Sequence, residues 1–339
     1  VCLENCKYDL IARVTANAGF RPVEEDEAWN LHWIDTSVSI ERVMRMKKFQ
    51  KINHFPGMAE ISRKDFLAKN LTRMQKMFPE DYNFFPATFT MPNDANLLRD
   101  FVRSKKGKKK LTLIVKPSVG CQGKGIYLAS SCDKINMTEP VVAQTYVRNP
   151  LLIDGLKFDL RIYVLVTSCA PLRVYIFKEG LARFATKPYV KPNDSNIDNA
   201  FMHLTNYSVN KHNSKFEFNE GTDAEDVGSK WTLGAFRKWM EGHGMDHHKL
   251  WKRIHHVIIM TFLSIEAQVN AAVDMHVPYK SRNCFQLFGF DILVDENLEP
   301  VLIEINFSPS LACGTPLDLR VKAEVIADSL SLAGVQPYE

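Results

Sequence analysis

Residues 301–310 read VLIEINFSPS, and two of them are out of place in an apolar strand: Glu304 and Asn306 stand among Val301, Leu302, Ile303 and Ile305. The segment before it, QLFGFDILVD, carries Asp291, and the polar turn ENLE joins the two. Pairing Asp295 with Pro300 across that turn sets Asp291 opposite Glu304 and Gly289 opposite Asn306. Side chains alternate along a strand with period two, so both acids and the amide gather on one face. The other face is then Phe290, Ile292, Val294, Val301, Ile303 and Ile305, apolar and suited to packing on a helix. Two carboxylates and an amide oxygen in contact repel unless a cation lies between them, and hard oxygen donors suit Mg2+. The same pattern also suits a solvated sheet face with no ligand, because half-exposed antiparallel sheets carry acids outside.

Two further segments bear on that choice. In KFDLRIYVLV, Lys157, Asp159 and Arg161 share one face, with Phe158, Leu160 and Ile162 on the other. A cation–anion–cation row fits a phosphate or ribose contact, with Arg161 suited to a transferring phosphoryl group; a structural ion-pair ladder fits it as well. In IVKPSVGCQGKGIYL, Lys116 ends a strand, and Gly120, Gly123 and Gly125 form a loop before the next. Such a hairpin can fold over phosphates as a flap, with Lys116 or Lys124 as counter-charge, or the glycines simply serve the turn. It is not a P-loop, which needs G-x-x-x-x-G-K-[ST] opening a helix, and the protein-kinase signatures H-R-D and D-F-G are absent.

The elements that must position these residues follow from patterning. At 339 residues, 45% of them apolar and 24% charged, the chain has room for two to three domains with real cores. Near the start, VCL, YDLIARVTANAGF and WNLHWID read as strand, helix and strand. Residues 58–78 have helical spacing, and PEDYNFFPATFTMPND marks a boundary. The helix NLLRDFVRS, a lysine-rich loop and the strands LTLIVKPS, GIYLAS and VVAQTYV follow. From about residue 153 come KFDLRIYVLVTS, its partner RVYIFKEGLARFA, a long helix near 248–273 and the hairpin 286–308. In HHKLWKRIHH, Leu250, Trp251 and Ile254 face inward. No apolar run approaches the roughly 20 residues that cross a bilayer, and the N-terminal residues lack a signal-peptide layout. The seven cysteines are odd in number and scattered. Cys2 and Cys6 are spaced as a metal pair without a second pair, so a reducing cytosol is the simplest setting.

Charge is uneven. Residues 41–110 hold 17 Lys and Arg against 7 Asp and Glu, a local +10 in a chain of net +4. RSKKGKKK, residues 103–110, has no aromatic residue for base stacking, which argues against nucleic acid. It is either a solvated loop or, with Arg42, Arg45, Lys47, Lys48 and Lys51, a surface that steers an acidic partner.

Taken together, KINHFPGM, VKPSVGCQGKGIYL, QTYV, KFDLRIYVLVTS, EGLARFAT, HLTNYSVNK and GFDILVD…LIEINFSPS resemble the tubulin tyrosine ligase-like family of ATP-grasp ligases, in its glutamylase branch. The resemblance implies an α+β fold in which two α+β domains clamp ATP between antiparallel sheets, behind a small N-terminal α/β domain. The divisions expected are 1–82, 83–152 and 153–339. It also implies an ATP- and Mg2+-dependent ligase that phosphorylates a tubulin-tail glutamate and joins a free amino acid, L-glutamate, by an isopeptide bond. Alternatives on the same scaffold are glycine addition, a non-tubulin acidic acceptor, or a non-catalytic microtubule binder. A monomer in the cytoplasm and on the cytoskeleton, at a cilium or basal body, without nucleic acid or membrane partners, is the expected setting.

Carried over by position, Arg161 and Glu304 are catalytic, and Asp291, Glu304 and Asn306 hold the metal. The nucleotide set is Lys116, Gln122, Gly123, the hinge Gln144, Thr145, Tyr146 and Val147, then Lys157, Phe158, Asp159, Thr205 and Asn206. Arg183, Tyr207, Ser208 and Lys230 fall at the glutamate, two of them cations for its two carboxylates. Lys230 also reads simply as a solvated loop lysine. Gln122 and Phe307 fall at the acceptor. His203 reads as a structural imidazole, since a general base must reach the attacking amine.

Overall fold

The computed structural model describes residues 1–105, 111–120, 123–218, 221 and 225–335. Within them the chain is α+β, with antiparallel pairing in its two larger sheets. Strands β1 (Leu31–His32) and β2 (Lys51–Ile52) pair in parallel. Strands β3 (Thr88–Thr90), β4 (Leu113–Pro117), β5 (Tyr127–Ala129) and β6 (Val141–Thr145) make a four-stranded sheet in the order β3-β6-β4-β5. The largest sheet uses β7 (Leu152–Ile153), β8 (Leu156–Cys169), β9 (Leu172–Phe184), β10 (Lys230–Thr232), β11 (Gln286–Val294) and β12 (Pro300–Asn306). Its order is β10-β9-β8-β11-β12, with β7 on β8.

Alternation decides what each sheet face does. On β4 and β6, Leu113, Val115, Val141 and Ala143 turn to a small core with the helix Ala95–Lys105, leaving Ile114, Lys116 and Gln144 for the opposite side. On the large sheet, Phe158, Leu160, Ile162, Phe288, Phe290 and Ile292 face a core with helices Leu233–Gly242, His247–Leu263 and Glu266–His276. Its other face is covered at one end by the helix Pro316–Ala333 and the N-terminal segment. There Tyr163, Leu165 and Leu287 share a core with Leu317, Val321 and Val325, and with Leu10, Ile11, Leu31 and Trp33. The remaining part of that face looks across at β4 and β6, and the cleft between the two sheets is the site.

Three expectations need correction. The helix over 58–78 is two helices, Ala59–Ser62 and Lys64–Met77, because Arg63 takes an extended ψ of 130° between them. The helix near 248–273 breaks after Leu263, and its halves, His247–Leu263 and Glu266–His276, are bent by 53°. Among the described residues no single helix is long and apolar enough to cross a membrane. The closing hairpin pairs Val294, not Asp295, with Pro300, and Ile292 with Leu302. A bulge then restores Asp291 to Glu304 and Gly289 to Asn306. The extra residue reverses the alternation near the turn. Val301 therefore pairs with the cleft residue Leu293, Ile303 lines the cleft, and Leu302 takes the place in the core expected for Ile303.

The helix Pro316–Ala333 was not anticipated. Thr315 Oγ1 accepts the Asp318 N–H at its start, Pro316 follows, and Gly334 ends it at φ 64°.

Candidate active site

The cleft encloses about 620 Å³, open to solvent, within the range of small-ligand sites. Its walls are Ile114, Lys116 and Gln144–Val147 on one side, and Lys157, Asp159, Asp291, Leu293, Ile303 and Glu304 on the other. Thr205 and Asn206 close one end. The apolar wall Ile114, Leu293 and Ile303 suits a flat ring, and the charged residues lie toward the far end.

That end is a network of buried charges. Asp291 sits opposite Arg161 on β8 and opposite Glu304 on β12. Arg161 donates from Nε to Asp291 Oδ1 at 2.6 Å and from Nη2 to Oδ2 at 3.0 Å. Gly289 makes room for this, because a Cβ there would come 3.0 Å from Arg161 Cδ. Arg183 holds Asp159 through Nε and Nη2, both at 2.7 Å, and its Nη2 is also 2.8 Å from Asp291 Oδ2. Thr205 Oγ1 donates to Asp159 Oδ2 at 2.6 Å. Burial opposes ionising Asp291, but Arg161 and Arg183 hold its carboxyl well below the usual range.

Glu304 is the opposite case. Burial and the neighbouring Asp291 push its carboxyl up, and its nearest cation, Lys64 Nζ, is 3.9 Å away. Among the described residues no group of three His, Cys, Asp or Glu side chains stands ready for a metal. The donor set here is two carboxylates and the Asn306 amide, whose Nδ2 lies 3.3 Å from Asp291 Oδ2. Asp291 is engaged by two guanidinium groups, whereas Glu304 has Lys64 at 3.9 Å, so Glu304 is the less compensated carboxylate. Hard oxygens with unbalanced negative charge fit a magnesium ion.

Two buried lysines face the same space. Lys116 Nζ donates to Gln144 Oε1 at 3.1 Å, and burial lowers its pKa to about 8. Lys157 Nζ donates to Tyr146 OH at 2.9 Å and to the His203 carbonyl at 2.7 Å, and burial lowers its pKa to about 7. His203 is buried, its Nε2 lies 2.9 Å from the Asn196 carbonyl oxygen, and its Nδ1 lies 3.3 Å from Tyr146 OH. Its ring braces the hinge and has no free edge for proton transfer.

Of the expected nucleotide residues, Lys116, Gln144–Val147, Lys157, Asp159, Thr205 and Asn206 meet in the cleft. Phe158 does not. Its side chain is 1% exposed in the core against Phe184 and Phe236, because it alternates away from Lys157 and Asp159. Gln122 and the lysine run 106–110 lie outside the described residues. Gly123 closes on the rim at φ 74°, so near the body that a Cβ would meet Val209 Cγ2 at 2.9 Å. Lys124 is exposed outside the cleft, which leaves Lys116 as the flap's inward cation.

Beside the cleft, Lys230 pairs in register with Arg183, and its Nζ lies 3.9 Å from the centre of the Tyr207 ring. Lys230 is buried rather than a solvated loop residue, and it donates to Asp318 Oδ2 at 2.6 Å. Lys322, one helical turn on, lies 3.0 Å from Asp318 Oδ1. Ser208 is not brought to this cluster; it lines a separate surface hollow. Phe307 stacks on His54 with ring centroids 4.5 Å apart and planes 3° apart, beside the acidic pair's strand end. Sequence reasoning missed Asp318, Lys322 and Lys64. Lys64 also donates to the Gly120 carbonyl at 2.8 Å, linking its helix to the glycine loop.

Two antiparallel sheets thus face each other across a cleft that holds paired acids and buried lysines, with a glycine loop at its rim. The chain belongs to the tubulin-tyrosine ligase family, whose model matches residues 42–339. It is 47% identical over 334 residues to tubulin polyglutamylase TTLL6 of Mus musculus, covering 97% of this chain and 39% of that protein. It is 45% identical over 338 residues to tubulin polyglutamylase TTLL13 of Mus musculus, 98% of this chain and 41% of the relative. A probable beta-tubulin polyglutamylase of Tetrahymena thermophila is 43% identical over 310 residues, 91% of this chain and 26% of the relative. The chain thus spans about two fifths or less of the length of these relatives.

Proposed function

We propose that this chain is the catalytic part of a tubulin polyglutamylase: an ATP-dependent ligase that adds L-glutamate, through an isopeptide bond, to glutamate side chains in tubulin C-terminal tails. The observation that carries the reading is Glu304, a carboxylate pushed up by burial and by Asp291, sharing one cleft with Lys116 and with Asp291, which Arg161 and Arg183 hold. Relatives at 45–47% identity bearing that name support the substrate. We read the architecture as an ATP-grasp, residues 83–152 and 153–339 gripping the nucleotide behind an N-terminal unit 1–82, and the place of work as the cytoplasm and cytoskeleton.

In this reading the adenine lies against Ile114, Leu293 and Ile303, its edge read by the hinge Gln144–Val147. Lys116 and Lys157 neutralise phosphates, and Asp159 with Thr205 takes the ribose side. Glu304, with Asp291 and Asn306, would hold magnesium, which supplies positive charge between the triphosphate and the acceptor carboxylate. Arg161 stabilises the transferring phosphoryl group. An acceptor carboxylate oxygen displaces ADP from the γ-phosphorus, giving an acyl phosphate. The incoming amine then attacks the acyl carbon, phosphate leaves, and the amine's proton goes with it or to solvent. Arg183, Lys230 and Tyr207 orient the incoming glutamate, with Asp318 and Lys322 fixing the position of Lys230.

The test is intact-mass analysis of tubulin-tail peptides after incubation with Mg-ATP and glutamate, glycine or tyrosine. A ladder of glutamate increments is expected. Glycine increments alone would replace glutamate as the donor, and no increment with any of the three would defeat the ligase reading.

A further inference from the structure

Outside the cleft, on the far side of the flap contact, lies a hollow of about 610 Å³ lined by Gly123, Lys124, Ser208, Val209, Lys211 and His212. Lys124, Lys211 and His212 are exposed, and among the described residues none of the three pairs with a carboxylate. Lys124 belongs to the glycine loop, whereas Lys211 and His212 follow the short helix Tyr207–Asn210 on the body. Gly123 approaches both Val209, which lines the hollow, and Asn206, which lines the cleft. Lys211 also lies 5.8 Å from the ring of Tyr207, whose other cation is Lys230.

We propose that this hollow is a docking subsite for acidic residues flanking the glutamate that is modified, and that a carboxylate held between Lys124 and Lys211 fastens the flap to the body. The inference rests on the proposed acidic acceptor, and it assigns a second carboxylate subsite to that acceptor. An unpaired cation on each side of a closing contact gains more from a bridging anion than either gains alone, since one ligand then holds both sides. A substrate with acidic neighbours would thereby shut the nucleotide under the flap, and one without them would leave it loose. Preference for glutamate-rich acceptors then lies in the flap as well as in the reacting position.

The experiment uses a fluorescein-labelled peptide with one acceptor glutamate flanked by glutamates, and a twin flanked by glutamines, each titrated against the protein with Mg-ATP by fluorescence anisotropy. Wild type is expected to favour the acidic peptide, and the double variant Lys124→Gln, Lys211→Gln to bind it about tenfold more weakly while binding the twin unchanged. Both positions are exposed, so an unchanged melting temperature verifies the fold. Equal affinity of wild type for the two peptides, or an equal loss for both in the variant, overturns the subsite. Discrimination by wild type without glutamate transfer to either peptide supports the subsite and defeats the proposed activity instead.

Discussion

Arg183 reaches across a whole strand to Asp291: the two lie on β9 and β11, with β8 between them, yet Nη2 and Oδ2 are 2.8 Å apart. The same guanidinium holds Asp159 on the intervening strand, so three strands are tied through one side chain. Asp291→Asn therefore leaves two buried guanidinium groups short of charge. Breaking a buried pair from one side costs about 3–5 kcal/mol. Urea unfolding of the variant is expected to show a loss of that order, with Mg-ATP binding lost as well.

Glu304→Gln is expected to act in the opposite sense on stability. The Glu304 carboxyl is pushed up by burial and by Asp291. A carboxyl with a raised pKa costs the fold stability once the pH exceeds its unfolded value, so at neutral pH the ionised group is a burden. The amide removes that burden and should raise stability by about 1 kcal/mol, a common gain when functional-site strain is relieved. Turnover should fall by about a hundredfold or more. Denaturation and ADP release, measured on one preparation, check the pair of outcomes.

Nucleotide binding should draw protons from solution. Burial lowers Lys157 to about 7 and Lys116 to about 8. In the ligand-free fold each is part-neutral where an unfolded lysine is charged, so the unfolded chain binds more protons from about pH 7 to about pH 10 and stability rises with pH there. Phosphate oxygens favour the ammonium forms. Calorimetry of ATP binding at pH 8, in buffers of different ionisation enthalpy, should report uptake of about one proton. Lys157→Met should cut it by about half or more.

Gly123→Ala tests the flap. The position has φ 74°, and the added methyl would meet Val209 Cγ2 at 2.9 Å. Left-handed backbone costs a β-carbon residue about 1–2 kcal/mol even without the clash. Lifting the loop avoids both costs, so kcat/KM for ATP is expected to fall about tenfold with little change in melting temperature.

Much of this site was legible because strand alternation is strict. Lys157 and Asp159 line the cleft and Arg161 reaches the cleft residue Asp291, as their spacing required, and Asp291, Glu304 and Asn306 share a side. The bulge at Ile303 was not legible: Asp291 and Glu304 pair as expected, but the turn between Val294 and Pro300 holds one residue more than the expected four, and no residue type there marks the shift. Phe158 shares its motif with Lys157 and Asp159, but its own alternation turns its ring into the core. Asp318 and Lys322 were invisible for a different reason. An acid and a lysine four apart on a helix look like any solvated pair, and only the docking of Pro316–Ala333 over the sheet makes them buried. Lys64 is one lysine in a basic helix until its 2.8 Å contact with Gly120 sets it apart.

The shared core between the first residues and the helix Pro316–Ala333 has a practical consequence. The match to the family model begins at residue 42, but Leu10, Ile11, Leu31 and Trp33 wedge beneath Leu317, Val321 and Val325. Trimming the chain to the matched region would strip the greasy underside of that helix bare. The helix carrying Asp318 would then lose its seat, and Lys230 its anchor, from a cut made nowhere near either.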